Sequence, residues 1–430
     1  MQSLDRHDLK RRAFLIAGGQ AAAAALAGST YGLRPVFAEN RPAWSAQEQR
    51  IAETVETYDA QGNHRTATSA DTESAVWLAT RIRQFAVEPA FEPFAVDRVD
   101  PISCHVRIAN RRIDGVPAFD ANFTGADGVR GTLGELGSDA DIALVETQPF
   151  TLVEPRRELR GAVADARRSR HKGVIVITRG SRPGLFLLNA PSFKTPFGPP
   201  MLQVSEVEGD WLKARAKERA EATLVTHVKR TLAQALNVTA RLAGSDSSLA
   251  PLVITTPRSG WWQCASERGG GLACWLEVIR ALAEAKPARE CLFAAFSGHE
   301  VGFIGIDAYL AVRPDLLKRA QAWFHIGANI GAPRQPNQVH FAEPSLRKWI
   351  AAALEKQGLS VNVKAEPGSV PRGEAGKLHR DGARYVTLVC GTEVFHHTAD
   401  RWPDAVDVSL LTRYASAFAN GAHELANQRT

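Results

Sequence analysis

From about residue 235 onward, short β-rich runs alternate with helical periods, and this alternation limits what the chain can build. Strand-like runs at 252–255, 291–296, 322–326 and 385–389 are each followed by a helical stretch, at 272–285, 304–312, 344–357 and 409–425. Strands in strict alternation with helices predict an α/β fold, a mostly parallel twisted sheet with helices on both faces. In such a sheet ligands sit beyond the carboxyl ends of the strands. The loops after Thr255, Phe296, Ile326 and Val389 are therefore expected to meet in one place.

The first half of the chain has another texture. Residues 45–90 read as helical, with apolar residues at helical spacing over 72–85 (TESAVWLATRIRQF), and strand-like runs follow (FEPFAVDRV, HVRIA). Between about 120 and 230, glycine and proline are frequent. Short β-rich runs lie at 142–145, 173–178 and 222–225, with a basic helical stretch at 158–172. The expected organisation is a main domain of residues 45–120 and 235–430, interrupted by a small β-rich or α/β insert at 125–230.

The four converging loops carry most of the candidate chemistry. They read TPRSGWWQCASERGGG from Thr256, SGHEVGFIG from Ser297, HIGANIG from His325 and GTEVFHHTADR from Gly391. Their spacing resembles the M28 family of zinc aminopeptidases. That family has AHxDS after one strand, a GAxDNxSG loop opening a helix, GEExGxxGS after the next strand, a later strand ending in Asp, and HTPxDT. Here Phe296 to Gly305 matches the double-glutamate motif, Ala265 to Gly271 the second motif, and Phe395 to Arg401 the last. Residues 64–94 resemble the family's leading helix and strand, and the insert resembles a protease-associated domain. The resemblance covers nearly all of the chain beyond its first 38 residues and is strongest over 250–310.

The departures change the expected chemistry. Of the five ligands of the two-metal site, the first His corresponds to Thr256 and the later Asp to Ala328, neither a strong donor. The bridging Asp corresponds to Glu267, the Glu ligand to Glu300 and the last His to His396. The resemblance thus implies one zinc ion held by Glu267, Glu300 and His396, with an open position for water or substrate. Glutaminyl cyclases, which share the fold, resemble this one-zinc arrangement. The family's general base corresponds to His299, which would shuttle a proton or become a ligand itself. The bland alternative for Glu267 is an ion pair with Arg258 or Arg268.

Arg258 stands where the family has the Asp that supports the metals. It is expected to fill the vacant first-metal position or to bind a substrate carboxylate in bidentate fashion. Trp261 and Trp262 would floor a substrate pocket or pack the loop against the insert. Glu374 is a candidate lining residue, and Asp400 is expected to orient the loop that carries His396. Ser259 lacks a GxSxG elbow and is set aside as a nucleophile. The function implied is a metal-dependent hydrolase acting on peptide or other small amide substrates with a single zinc. The alternatives are an inactive homologue that binds ligands in the periplasm and a glutaminyl-cyclase-like acyltransferase.

The N-terminus bears on location. Arg11 and Arg12 precede Phe14 and Leu15, a Gly/Ala-rich apolar run extends to about Gly28, and small residues close the segment at Ala38. This is the pattern of a cleaved twin-arginine signal over residues 1–38, implying transient contact with that export machinery and a periplasmic or secreted protein. The segment carries five basic and two acidic side chains, so only +3 of the formal net charge of +6 remains after cleavage. That is too little to argue for nucleic acid. No later run is long and apolar enough to expect a stable membrane span. Five cysteines leave at least one unpaired, and none shows CxxC spacing. A disulfide is compatible with an oxidising compartment, without an identifiable pair.

Overall fold

The structure is a computed structural model that describes residues 44–148, 161–365 and 369–429. The proposed signal lies outside the described residues, as does the start of the basic stretch at 158–172. In chain order, the strands are β1 (Pro89–Ile108), β2 (Arg111–Asp114), β3 (Val116–Pro117), β4 (Val129–Glu135), β5 (Ile142–Thr147), β6 (Gly173–Thr178), β7 (Met201–Ser205) and β8 (Glu221–Leu242). They continue with β9 (Leu252–Pro257), β10 (Cys291–Phe296), β11 (Ala322–Ile326), β12 (Asn337–Phe341), β13 (Val363–Lys364) and β14 (Tyr385–Cys390). The helices used below are α1 (Ala46–Ala60), α2 (Ser69–Arg83), α3 (Gly270–Ala285), α4 (Ile304–Ala311), α5 (Glu374–Arg380) and α6 (Val408–Asn427).

The strands run β13-β12-β14-β11-β9-β10-β8-β4-β5-β6-β7-β3, with β1 paired to β8 and β2 to β1. The segment that carries the site, β14-β11-β9-β10, is parallel throughout. Its strands are buried on both faces, as parallel strands under two helical layers must be. Alternation along each strand sorts the side chains. Leu252, Ile254, Phe293, Phe324 and Val386 enter the core under α1, α2, α3 and α6. Val253, Ala294, Phe296, Trp323 and Tyr385 enter the opposite core with Ile306, Tyr309 and Leu378, from α4 and α5. The period of two thus builds both cores from one strand set.

The helical expectation for residues 45–90 resolves into α1 and α2 with a turn between them. Thr68 caps α2, its hydroxyl accepting from Asp71 N–H at 3.4 Å. The turn matters to the site, because it carries Thr66. The run expected at 222–225 proves to be one end of β8, a strand of 22 residues paired antiparallel with β1 from Pro89↔Ala240 to Ile108↔Ala222. One end of this ribbon joins β10 and the other joins β4, so the two parts of the sheet share it. Beyond β4 come β5, β6 and β7, parallel to one another. All five cysteines are buried and free. Among the described residues no helix is long and apolar enough to cross a membrane.

Candidate functional site

The loops beyond β9, β10, β11 and β14 form the site. After β9 the chain turns through Cys264, at φ +57°, into a π-helical turn at Ala265–Gly269 that holds Glu267 and Arg268 and leads into α3. Such turns are rare and cluster at functional sites. Gly270 is required by close approach, since a β-carbon there would overlap the carbonyl oxygen of Ile330. Gly270 and Gly271 therefore let this turn pack against the loop after β11, while Gly269 faces Val55 and Tyr58 of α1.

Glu267 lies at the centre of the first cluster. Arg268 Nη2 is 2.6 Å from Glu267 Oε1, and His396 Nε2 approaches the same oxygen at 3.4 Å. Burial alone would raise the Glu267 carboxyl, but Arg268 first, and then His396, hold it well below the ordinary carboxylate range. Arg268 is anchored by donating to the carbonyl oxygens of Ser259 at 2.7 Å and Glu267 at 3.2 Å. Glu267 Oε1, Arg268 Nη2 and His396 Nε2 are all buried without a well-aligned hydrogen bond. Asp400 ties the His396 loop to this turn, accepting from the N–H groups of Ser266 at 2.7 Å and Glu267 at 3.0 Å. Burial and the neighbouring Glu267 push the Asp400 carboxyl up to about 7.

The second cluster is His299 with Glu374, at the start of α5. His299 Nδ1 faces both Glu374 oxygens, at 3.0 and 2.9 Å. His325 Nε2 stands 3.7 Å from Glu374 Oε2, and its Nδ1 is 2.9 Å from Thr255 Oγ1. Burial lowers His325 to about 4, so its ring is neutral at physiological pH. Glu374, expected to line the substrate path, instead orients His299 from within the protein. Burial would raise the Glu374 carboxyl, yet His299, with His325 and Arg268, brings it down from 4.5 to about 2. A carboxyl with a depressed folded pKa contributes stability above its unfolded value, and that contribution is lost as the pH falls through the folded one. The melting temperature is therefore expected to drop between about pH 4.5 and 2, and Glu374→Gln should flatten this limb. An equally steep limb in the variant would assign it to other carboxyls.

The structure places three further candidates as follows. Glu300 does not join Glu267 and His396. Its carboxylate is fully buried and accepts from Thr66 N–H at 2.6 Å, the Thr66 hydroxyl at 2.6 Å and the Ser259 hydroxyl at 2.7 Å. Arg258 is held by protein groups. Its guanidinium is enclosed, 2.9 Å from Asp71 Oδ1 and donating to the Asp71 carbonyl at 2.7 Å and the Leu236 carbonyl at 2.6 Å. Trp261 is buried against Phe119, ring centroids 4.7 Å apart, so it packs its loop rather than floors a pocket. Trp262 donates its indole N–H to the His396 carbonyl at 2.9 Å.

The residues at the metal positions do not fit a zinc ion as arranged. Among the described residues, the only three His, Cys, Asp or Glu side chains with ligand atoms within 4.8 Å of one another are Cys264, Glu267 and Asp400. The Cys264 thiol is buried and donates to Glu267 Oε2 at 3.7 Å. Both Asp400 oxygens are engaged by backbone N–H groups. Arg268 already supplies the positive charge on Glu267. Sequence reasoning met Arg268 only as a possible partner of Glu267; its adjacency to Glu267 was the available signal. Thr66 was missed, and no local pattern marks a partner 234 positions from Glu300.

Comparison with known proteins agrees with this architecture. No protein-family model matches the chain, and no curated protein matches it by sequence. Among solved structures, a zinc aminopeptidase from Bacillus subtilis is similar with a TM-score of 0.70 and 19% identity, over 89% of this chain and 96% of its own. A Peptidase M28 precursor from Shewanella amazonensis SB2B is similar at 0.69 and 15%, over 89% and 96%. An aminopeptidase from Aneurinibacillus sp. strain AM-1 gives 0.66 and 16%, over 88% and 94%. The chain has an M28-like aminopeptidase fold.

Proposed function

We propose that on this fold the chain acts as an exported, metal-free peptidase homologue that binds peptides in the former catalytic cleft. The observation that carries the reading is the Arg268 guanidinium, 2.6 Å from the carboxylate that aligns with the family's metal-bridging group. A guanidinium neutralises that charge, but it is not a Lewis acid and does not lower the pKa of a bound water as a metal does. The neighbours are named as aminopeptidases, and peptides are the ligand class that a cleft of this ancestry would take.

Purified mature protein is expected to carry far less than one zinc per chain, and added zinc should leave its melting temperature unchanged. About one tightly held zinc per chain, with chelator-sensitive peptide hydrolysis, would return the one-metal hydrolase. The acyltransferase reading needs the same three ligands and stands or falls with that measurement. A second reading rests on the His299–Glu374 pair, in which a carboxylate orients an imidazole for proton transfer at Nε2. Peptide hydrolysis that persists in chelator and vanishes in His299→Ala would select a metal-free hydrolase.

Export rests on the paired Arg11 and Arg12 and the apolar run after them. A reporter fused to residues 1–38 is expected to leave the cytoplasm, and the Arg11→Lys, Arg12→Lys fusion to stay inside. Undiminished export of the variant would remove the twin-arginine assignment.

A further inference from the structure

A cleft of about 420 Å³ opens at the amino end of β10, whereas His299 and Glu300 follow its carboxyl end. Its size falls within the range of small-molecule sites, roughly 300–1,000 Å³. The floor comes from β1, β8 and β10, whose register sets Thr239 beside Ala90 and Arg241 beside Leu292. The wall is the end of α4 and the turn after it, with Tyr309, Arg313, Leu316 and Arg319. Glu92 closes the inner end, pairing with Arg313 at 2.9 Å and accepting from the Thr239 hydroxyl at 3.1 Å. The Arg313 guanidinium lies over the Tyr309 ring, 4.0 Å from its centroid.

Two groups in this cleft have no hydrogen bond or ion pair from their side-chain polar atoms to any described residue, the Tyr309 hydroxyl and the Arg319 guanidinium. Tyr309 is 2% exposed, its ring fixed against Phe296 and Trp323 at centroid distances of 5.4 and 6.4 Å. Burial pushes its phenol up to about 12, so the hydroxyl stays a donor at neutral pH. Charge is divided across the cleft. The strand side carries Glu88, Glu92 and Glu290 against Arg241, a formal −2, and the wall carries Arg313 and Arg319, a formal +2. A molecule with separated charges of both signs complements the two sides together. The rim carboxylates sit in solvent-accessible pairs, Glu290 with Arg241 and Glu88 with Arg83 at 3.5 Å. Pairs of this kind are weak and yield to a ligand ammonium. Ala90, Leu292 and Leu316 supply apolar lining between the charges. We propose that the cleft binds a zwitterionic α-amino acid with an apolar side chain, its carboxylate toward Tyr309 and Arg319 and its ammonium toward Glu88 and Glu290. This site is separate from the loop cluster and does not rest on the metal-free reading.

The test is isothermal titration of L-leucine, L-methionine and L-phenylalanine into the mature protein. L-leucinamide and isocaproate serve as probes that lack the carboxylate and the ammonium of leucine. L-leucine is expected to saturate a single site per chain, with both truncated probes weaker by about tenfold or more. Tyr309→Phe removes a hydroxyl that no described residue bonds, and Arg319→Met changes an exposed side chain. Each is expected to weaken L-leucine about three- to tenfold, with the melting temperature of the unligated protein unchanged. His299→Ala should bind L-leucine as wild type does. Equal affinity in wild type, Tyr309→Phe and Arg319→Met overturns the site, and so does a loss confined to His299→Ala, which would move the ligand to the former catalytic cleft. Leucinamide or isocaproate binding as tightly as L-leucine overturns the ligand class. No saturable binding of any of the three amino acids at millimolar concentration ends the proposal. Zinc content bears on the functional reading alone.

Discussion

Arg268→Met is expected to lower the unfolding free energy by about 3–5 kcal/mol, because it leaves a buried carboxylate without its counter-charge. Arg268 is fully enclosed and Glu267 is 1% exposed, so water does not replace the lost partner. His396 Nε2, at 3.4 Å, is the remaining cationic candidate, and its Nδ1 is already held by Leu187. The diagnostic comparison is Arg268→Met with Glu267→Gln in the same chain, which should cost less than Arg268→Met alone, since no unpaired charge remains. Urea denaturation of the four proteins measures this. A loss below about 1 kcal/mol for Arg268→Met, the range of a solvated pair, would mean that Glu267 has another counter-ion and that the metal-free reading lacks its basis.

The second large effect is expected at Arg258. Arg258→Met strands Asp71, which is fully buried 2.9 Å away and otherwise accepts from Ala67 N–H at 2.8 Å and the Ser297 hydroxyl at 2.8 Å. The loss should again be about 3–5 kcal/mol. Burial raises the Asp71 carboxyl against the pull of Arg258, so the variant is expected to bind a proton there and to recover part of the loss as the pH falls. The same denaturation series at two pH values checks it. Arg258→Met that retains wild-type stability would place its guanidinium elsewhere than against Asp71. The two arginines separate by role as well: Arg258 ties α2 to the end of β9, whereas Arg268 neutralises the site.

The alternation of apolar runs was enough to find β9, β10, β11 and β14, because each buries both faces and is predominantly apolar over five or six positions. The 22-residue β8 was legible only at one end, since its middle is exposed and polar and looks like loop. The candidate residues were found because loops at the carboxyl ends of parallel strands must converge, so His299, Glu267, His396 and Asp400 do lie together in two neighbouring clusters. Their roles were less legible. Glu300 reads as a metal ligand in its motif, yet both its oxygens accept hydrogen bonds, from Thr66 and Ser259.

The amino-acid sequence by itself determined the order of elements, the parallel sheet and the loops that meet at its carboxyl end, because hydrophobic period and strand–helix alternation are local properties of the chain. Only the tertiary structure decided which donors reach which buried charge. Arg268 rather than Arg258 faces Glu267, Thr66 donates to Glu300, and the Leu187 carbonyl meets His396 Nδ1. A buried polar group bonds to whatever lies within about 3 Å in space. For Glu300 that neighbour is 234 residues away along the chain, a separation that no local pattern encodes.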